Sequence, residues 1–198
     1  ESNLYVTKRG DKGKESLNID KIHSMVGYAT EGITGVSASH VEMNSGIQFF
    51  DGINTEDIQQ ILIKSANDLI SLESPNYQFV AARLLLFSLR KKLFHRLWEH
   101  PKFLDHIKKC VDEGVYDKAI LTNYTESEID RMNMWIEHER DYNFTYAGIR
   151  QVMDKYLVQD RSTGDIFETP QFMYMMISAT LFAEYPKESR LQYVKKYY

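Results

Sequence analysis

Apolar residues recur along most of this chain at a helical period, broken by short polar stretches rich in Gly, Pro, Ser and Asp. The start is different. Leu4 to Arg9 reads as a short strand, Gly10 to Gly13 as a tight turn, and Lys14 to Asn18 as a returning strand. Asp20 then stands where a helix N-cap belongs, before the apolar positions Ile22, Val26, Ala29 and Ile33, with Gly32 and Gly35 ending the helix. Ser39-His40-Val41-Glu42 has the form of a capping box and predicts a second helix to about Phe50, broken by Asp51-Gly52. Thr55 is a candidate N-cap for a third helix, whose face is Ile58, Ile61, Leu62, Ala66 and Leu69. Ser74-Pro75-Asn76 interrupts, and a fourth helix is predicted over Tyr77 to Phe94. Four helices and a small sheet make a first module over 1–95.

His95 to Pro101 reads as a linker into a second, helical module over 96–198. Pro101 and Gly114 frame a fifth helix with Phe103, Leu104, Ile107 and Val111 on one face. Cys110 falls beside them and reads as a buried apolar residue rather than a nucleophile. Thr125 and Glu128 form a second capping box, and Ile129, Met132, Trp135 and Ile136 make the face of the helix that follows. A further helix is expected over Tyr146 to Lys155 and a β-hairpin over Tyr156 to Glu168. Thr169-Pro170 opens a Met-rich helix, and Lys187 to Tyr198 is again helical in pattern. The expected fold class is mainly α: a four-helix module capped by a small hairpin or sheet, then a helical domain with one hairpin.

Composition narrows the function classes. A 198-residue chain with 43% hydrophobic and 26% charged residues is an ordinary globular protein. A net charge of −4 argues against a general nucleic-acid binder. One cysteine allows no internal disulfide and no zinc cluster, and no apolar run is long enough to span a membrane, so a cytoplasmic setting is expected. The first residue is Glu1 and the last stretch is an uncapped amphipathic pattern, so the expectation is a piece of a longer protein, from a truncated or split subunit.

Catalytic chemistry is not evident. Gly10 to Glu15 fails the spacing of a phosphate loop, the six histidines are scattered, and no nucleophile has an evident base. Glu137-His138-Glu139-Arg140-Asp141 reads as a solvated or interdomain salt-bridge patch. Binding is better supported. The hairpin places Lys8, Arg9, Lys12 and Lys14 near a helix N-terminus, where backbone N–H groups and the helix dipole favour a phosphate. A basic hairpin at a chain start is more often a solvated edge than a ligand site, and taken alone the hairpin favours the solvated edge. Thr55 adds a hydroxyl at another helix start, and Lys91 adds a cation between Arg90 and Lys92. Lys8, Arg9 and Lys91 together suit a triphosphate.

The run Val6-Thr7-Lys8-Arg9 … Glu15-Ser16-Leu17-Asn18-Ile19-Asp20-Lys21-Ile22 resembles the ATP-cone, a nucleotide-binding allosteric module. Ala29 to Gly32, Ile47 to Thr55 and Pro75 to Arg83 continue that resemblance. Beyond it, His138 to Tyr146, Lys155 to Val158, Thr163 to Phe172 and Arg190 to Val194 resemble the large (α) subunit of class I ribonucleotide reductase, bacterial or phage type. The resemblance covers essentially the whole chain. It implies a regulatory segment that binds ATP or dATP, with Mg, to control reduction of ribonucleoside diphosphates.

By position, the resemblance implies that Lys8, Arg9 and Lys91 hold phosphates with Thr55 in support. It implies that Glu15, Ser16, Leu17, Asn18, Ile19, Asp20, Lys21 and Ile22 line the adenine and ribose, with Gln59 near the ribose. Gln59 departs from the His or Asp that relatives often carry. The hairpin turn is one residue longer than in familiar bacterial relatives. Tyr28 and Phe87, aromatic at positions that serve a second nucleotide in some cones, are expected to pack in the core. The family's catalytic cysteines have no counterpart here, so no catalytic residue, metal or redox cofactor is expected in this segment. The implied partners are the catalytic remainder of the large subunit, a homodimer or higher oligomer, and a small metal-bearing radical-generating subunit, with no nucleic acid and no membrane. A cone-bearing transcriptional repressor is excluded, because its zinc ribbon needs four cysteines. The alternative is a helical scaffold whose cone has decayed.

Overall fold

The computed structural model describes residues 5–7, 13–46 and 52–198. The chain divides into two compact units, one from 1–88 with 142–150, the other from 89–141 with 151–198.

The first unit is built on a three-stranded sheet in the order β2-β1-β3. Strand β1 (Tyr5–Thr7) pairs antiparallel with β2 (Lys14–Ser16), in the register Tyr5↔Ser16, Val6↔Glu15 and Thr7↔Lys14. It also pairs in parallel with β3 (Ile53–Asn54), Val6 facing Ile53 and Thr7 facing Asn54. The hairpin is the expected one, whereas β3 is too short for any alternation pattern to announce it. Gly52 makes the join: its φ of +86° suits glycine, its N–H donates to the Tyr5 carbonyl at 2.8 Å, and its own carbonyl accepts from Thr7 Oγ1 at 3.0 Å.

Helices α1 (Ile19–Thr30), α2 (Ala38–Asn44), α3 (Thr55–Asp68) and the first part of α4 (Tyr77–Phe94) complete this unit. Helix α1 packs on α2, and α2 on α3. Val26, Ala29, Val41, Leu62, Ala66 and Val80 are buried among them; of the faces read from the sequence, Ile22, Val26, Ala29, Ile58, Leu62 and Ala66 are buried, and Ile33, Ile61 and Leu69 are half-buried.

Each of the first three helices is capped upstream of its expected cap. Asn18, not Asp20, caps α1, and Ser37, not Ser39, caps α2 by accepting from His40 N. Asn54, not Thr55, caps α3. The reason is the same in all three: an equally good cap residue lies one or two positions upstream in extended backbone, so the helix starts as soon as it can. Helix α1 ends at Thr30 rather than Ile33, and α2 at Asn44; the expected extension to Phe50 runs into 47–50, outside the described residues.

The second unit holds α5 (Phe103–Asp112), α6 (Ala119–Asn123), α7 (Glu126–Trp135), α9 (Pro170–Leu181) and α10 (Arg190–Tyr197). Its core gathers Phe103, Ile107, Cys110, Ile129, Met132, Phe172, Met175 and Val194. Helix α5 packs on α7, and α10 on both α7 and α9. Thr125 and Glu128 form the expected capping box, and Pro170 stands at the first turn of α9. A 3-10 turn over His138–Asn143 and then α8 (Tyr146–Lys155) carry the chain through both units.

The hairpin expected over Tyr156 to Glu168 reduces to one bridge, Gln159↔Ile166. Backbone bonds from Phe167 N to the Val158 carbonyl at 3.0 Å and from Asp160 N to the Asp165 carbonyl at 2.8 Å flank it, and two side chains add to them. Val158 N donates to Glu168 Oε1 at 2.8 Å, and Asp160 Oδ1 accepts from the N–H and hydroxyl of Ser162 to close the tip.

Candidate functional site

The sequence-derived site begins where β2 hands over to α1. Asn18 lies in extended backbone, φ −106° and ψ 99°, and its Oδ1 accepts from Lys21 N at 3.2 Å. The one acceptor oxygen of this amide is therefore engaged in the cap, leaving the amide N–H2 to face outward. Ser16, Ile19, Asp20 and Lys21 are exposed, Leu17 is half-buried, and Ile22 turns into the core. Exposed polar groups at a helix N-terminus, with a buried Ile22 beneath them, present N–H donors and the positive end of the dipole to solvent. Glu15 pairs with Val6 in the sheet; its side chain, like that of Lys14, lies outside the described residues. Lys8 and Arg9 also lie outside them, as does Lys12.

The second part of the site is the start of α3. Asn54 Oδ1 accepts from Glu56 N at 2.9 Å, so Thr55 is the first helical residue rather than the cap. Its half-buried side chain stands beside the sheet end at which Thr7 faces Asn54. One turn on, Gln59 is 6% exposed, and its Oε1 accepts from Ser88 Oγ of α4 at 3.2 Å. Sequence reasoning singled out Gln59 but missed Ser88. A buried Gln needs a partner, which is the one cue that was available. Phe87, next to Ser88, is fully buried as expected, but Tyr28 is 49% exposed and is not a core residue. Lys91 is exposed on the part of α4 that belongs to the second unit, and its neighbour Lys92 pairs with Asp165 Oδ1 at 2.9 Å.

The second unit contains a polar cluster that the sequence did not disclose. His100 and His138 stack with ring centroids 3.6 Å apart, and His106 stacks on Phe172 at 4.4 Å. Burial lowers the pKa of His100 and of His106 to about 3, and that of His138 to about 4, so these rings are neutral at pH 7. Asp141, expected in a solvated patch, is fully buried with Arg90 and Gln171. The patch reading holds for the exposed Glu139 and for the exposed Glu137–Arg140 pair, at 3.0 Å. Tyr116 donates to the Glu168 carboxylate, whose pKa burial raises.

A cavity of about 410 Å³ opens beside this cluster, with Phe94, His100, His106, Cys110 and Phe167 among its walls. The Cys110 thiol is pushed up to about 12, chiefly by burial, which makes it inert as a nucleophile. Among the described residues no three His, Cys, Asp or Glu are placed to hold a metal ion.

Two family models match parts of the chain. Residues 4–92 match the family described as ATP cone domain, and residues 142–198 that described as ribonucleotide reductase, all-alpha domain. The chain is 50% identical over 196 residues to ribonucleoside-diphosphate reductase 1 subunit alpha of Escherichia coli K12, covering 99% of this chain and 26% of that protein. It is 51% identical over 195 residues to the subunit alpha of Haemophilus influenzae, covering 98% of this chain and 26% of the relative. With the subunit alpha of enterobacteria phage T4 the identity is 43% over 184 residues, covering 93% and 24%. The chain thus spans about a quarter of the length of these relatives.

Proposed function

We propose that this chain, which carries an ATP-cone domain and a ribonucleotide reductase all-alpha domain, is the regulatory amino-terminal portion of a class I ribonucleoside-diphosphate reductase large subunit. Its task is to bind ATP or dATP and so control the reduction of ribonucleoside diphosphates to deoxyribonucleotides. The observation that carries this reading is the ATP-cone match over 4–92, in a chain half identical to proteins named as the alpha subunit of that enzyme.

The nucleotide site we propose consists of Lys8, Arg9 and Lys91 on the phosphates and Thr55 beside them. Residues Glu15 to Ile22 take the adenine and ribose, and Gln59 lies by the sugar. Three local features support it. The α1 N-terminus presents exposed polar groups around Asn18 and Lys21, α3 opens with Thr55 at the sheet end, and Gln59 is held in one orientation by Ser88. Orienting the amide before the ligand arrives lowers the entropy cost of binding. Magnesium accompanies the triphosphate in this reading.

The domain division we propose is the cone over 1–95 and the helical domain over 96–198. Among the described residues no helix is long and apolar enough to cross a membrane, and the compartment we propose is the cytoplasm. The partners are the catalytic part of the large subunit, a second large subunit and a small radical-generating subunit.

Calorimetric titration with ATP and dATP, with molecular mass followed by light scattering, tests the reading. Saturable binding of both nucleotides is expected. Lys91→Ala removes a charge-assisted contact of about 1.5–3 kcal/mol and weakens binding by roughly tenfold or more. No binding by the unaltered chain sinks the proposal and leaves a scaffold.

A further inference from the structure

Residues 142–150 fall in the same compact unit as the first helices, although the all-alpha domain match starts at 142. One side chain has a large part in holding them there. Arg83 of α4 lies with its guanidinium 5.2 Å from the centre of the Tyr142 ring, and its Nη1 donates to the Glu31 carbonyl at 2.7 Å. Glu31 is the C-terminal cap of α1, whose other end carries Asn18 and Lys21. Phe87, one turn along α4 from Arg83, meets the same Tyr142 ring edge-on at 6.2 Å. Its neighbour Ser88 holds Gln59. Tyr142 therefore touches two residues of α4, one bonded to the far end of α1 and the other adjacent to the partner of Gln59.

We infer that Tyr142, clasped by Arg83 and Phe87, is a positioning residue through which nucleotide bound at the cone orders residues 146–150. This rests on the nucleotide-binding reading above and names its route. Helix α1 is 12 residues long, a stiff rod of about 18 Å. A ligand that draws on Asn18 and Lys21 displaces the Glu31 carbonyl at the other end. Arg83 follows that carbonyl through Nη1, because its guanidinium is partly desolvated and its buried Nε has no hydrogen-bond partner to hold it elsewhere. The Tyr142 ring follows the cation. Three residues later Thr145 starts α8, its Oγ1 accepting from Gly148 N at 3.1 Å and its carbonyl from Ile149 N at 2.9 Å. Ile149 is fully buried, so its amide reports the order of this turn.

Hydrogen–deuterium exchange of the 198-residue chain, with and without ATP or dATP, tests the inference. In the unaltered chain nucleotide slows exchange at Gly148 to Arg150 by about fivefold or more. Arg83→Met and Tyr142→Leu keep nucleotide affinity within about twofold and keep protection along α1, but lose the effect at 148–150. Tyr142→Phe retains both ring contacts and retains the effect, which separates the clasp from a general loss of folding. Protection at 148–150 that survives in the first two variants overturns the inference. So does an unaltered chain that binds nucleotide by calorimetry without slowing exchange there. Absence of nucleotide binding overturns the functional reading itself, and the titration distinguishes that outcome.

Discussion

Nε2 of Gln171 donates to Oδ1 of Asp141 at 2.8 Å, and both side chains are buried. The other carboxylate oxygen accepts from Arg90 Nη2 at a long 3.4 Å, while the same nitrogen donates to the His138 carbonyl at 3.1 Å. Burial pushes the Asp141 carboxyl up to about 6 in spite of both donors, so desolvation outweighs the attraction of Arg90. Asp141→Ala deprives the buried Arg90 charge of this carboxylate. The expected loss is about 3–5 kcal/mol of stability, read as a lower urea midpoint at unchanged slope. Asp141→Asn keeps the shape and an acceptor for Gln171, and loses less. A loss below about 1 kcal/mol for the alanine variant refutes the role given to the pair.

Arg190 grips Glu128 more tightly. Its Nη2 lies 2.9 and 2.8 Å from the two carboxylate oxygens and its Nε 3.1 Å from one of them, with the guanidinium 4.3 Å from the Tyr124 ring centre. Burial raises the Glu128 pKa, but the Thr125 N–H and Arg190 outweigh it and the net shift is downward. The same carboxylate closes the capping box of α7. Arg190→Met thus loosens the attachment of α10 to α7 and costs about 2–4 kcal/mol. Arg190→Lys recovers only part of this, since an ammonium does not form the planar fork. Equal stability of the lysine variant and the original chain contradicts the assignment.

Helical faces were legible because burial follows the 3.6-residue period: Val26, Ala29, Leu62, Phe103 and Ile129 all turned inward. The caps of α7 and α9 were legible to the residue, at Thr125 and Thr169, and those of the first three helices only to within two residues. Asn18, Ser37 and Asn54 compete with Asp20, Ser39 and Thr55, and backbone extension rather than residue type decides among them. The polar core of the second unit was not legible at all. His138 is far in sequence from His100 and His106, and Phe172, a distant residue of α9, is what gathers the three rings. Asp141 looked solvated because four polar neighbours precede it, yet a 3-10 turn points it inward while Glu137 and Arg140 stay outside. For the candidate site, residue type and order were readable through the resemblance. Ser88 was not, since its role exists only because α3 and α4 lie side by side.

Ser88 makes a sharp prediction. Ser88→Ala takes away the hydroxyl that donates to Gln59 Oε1 and leaves a buried acceptor without it. The expected cost is about 1–2 kcal/mol in thermal or urea unfolding. With the amide no longer held, ATP affinity drops by roughly threefold to tenfold. Ser88→Thr, which keeps a hydroxyl, preserves more of both. A stable, tight-binding alanine variant removes Gln59 from the sugar site.

One buried histidine, His106, and two half-buried ones, His100 and His138, set the acid response. Their pKa values in the folded chain, about 3 for His100 and His106 and about 4 for His138, lie below the ordinary 6.5. Below pH 6.5 the unfolded chain takes up protons that the folded chain refuses. Stability is therefore complete above about pH 6.5 and falls as pH drops toward 4, by up to about 1.4 kcal/mol per pH unit for each histidine. Solvent screening discounts His100 and His138 more than His106. Asp141 acts in the opposite sense: its carboxyl holds a proton up to about pH 6 when folded, against 3.8 unfolded, and offsets one histidine over that range. Glu168, whose carboxyl burial also raises, acts in the same sense as Asp141, and the net slope remains positive because three histidines oppose two carboxyls. Urea midpoints measured from pH 4 to 7.5 should rise with pH and level off near neutrality. His106→Phe keeps an aromatic ring on Phe172 and removes one titration, so its curve is flatter at the acid end. A midpoint independent of pH, or a variant as acid-sensitive as the original, shows that these rings are not neutral in the fold.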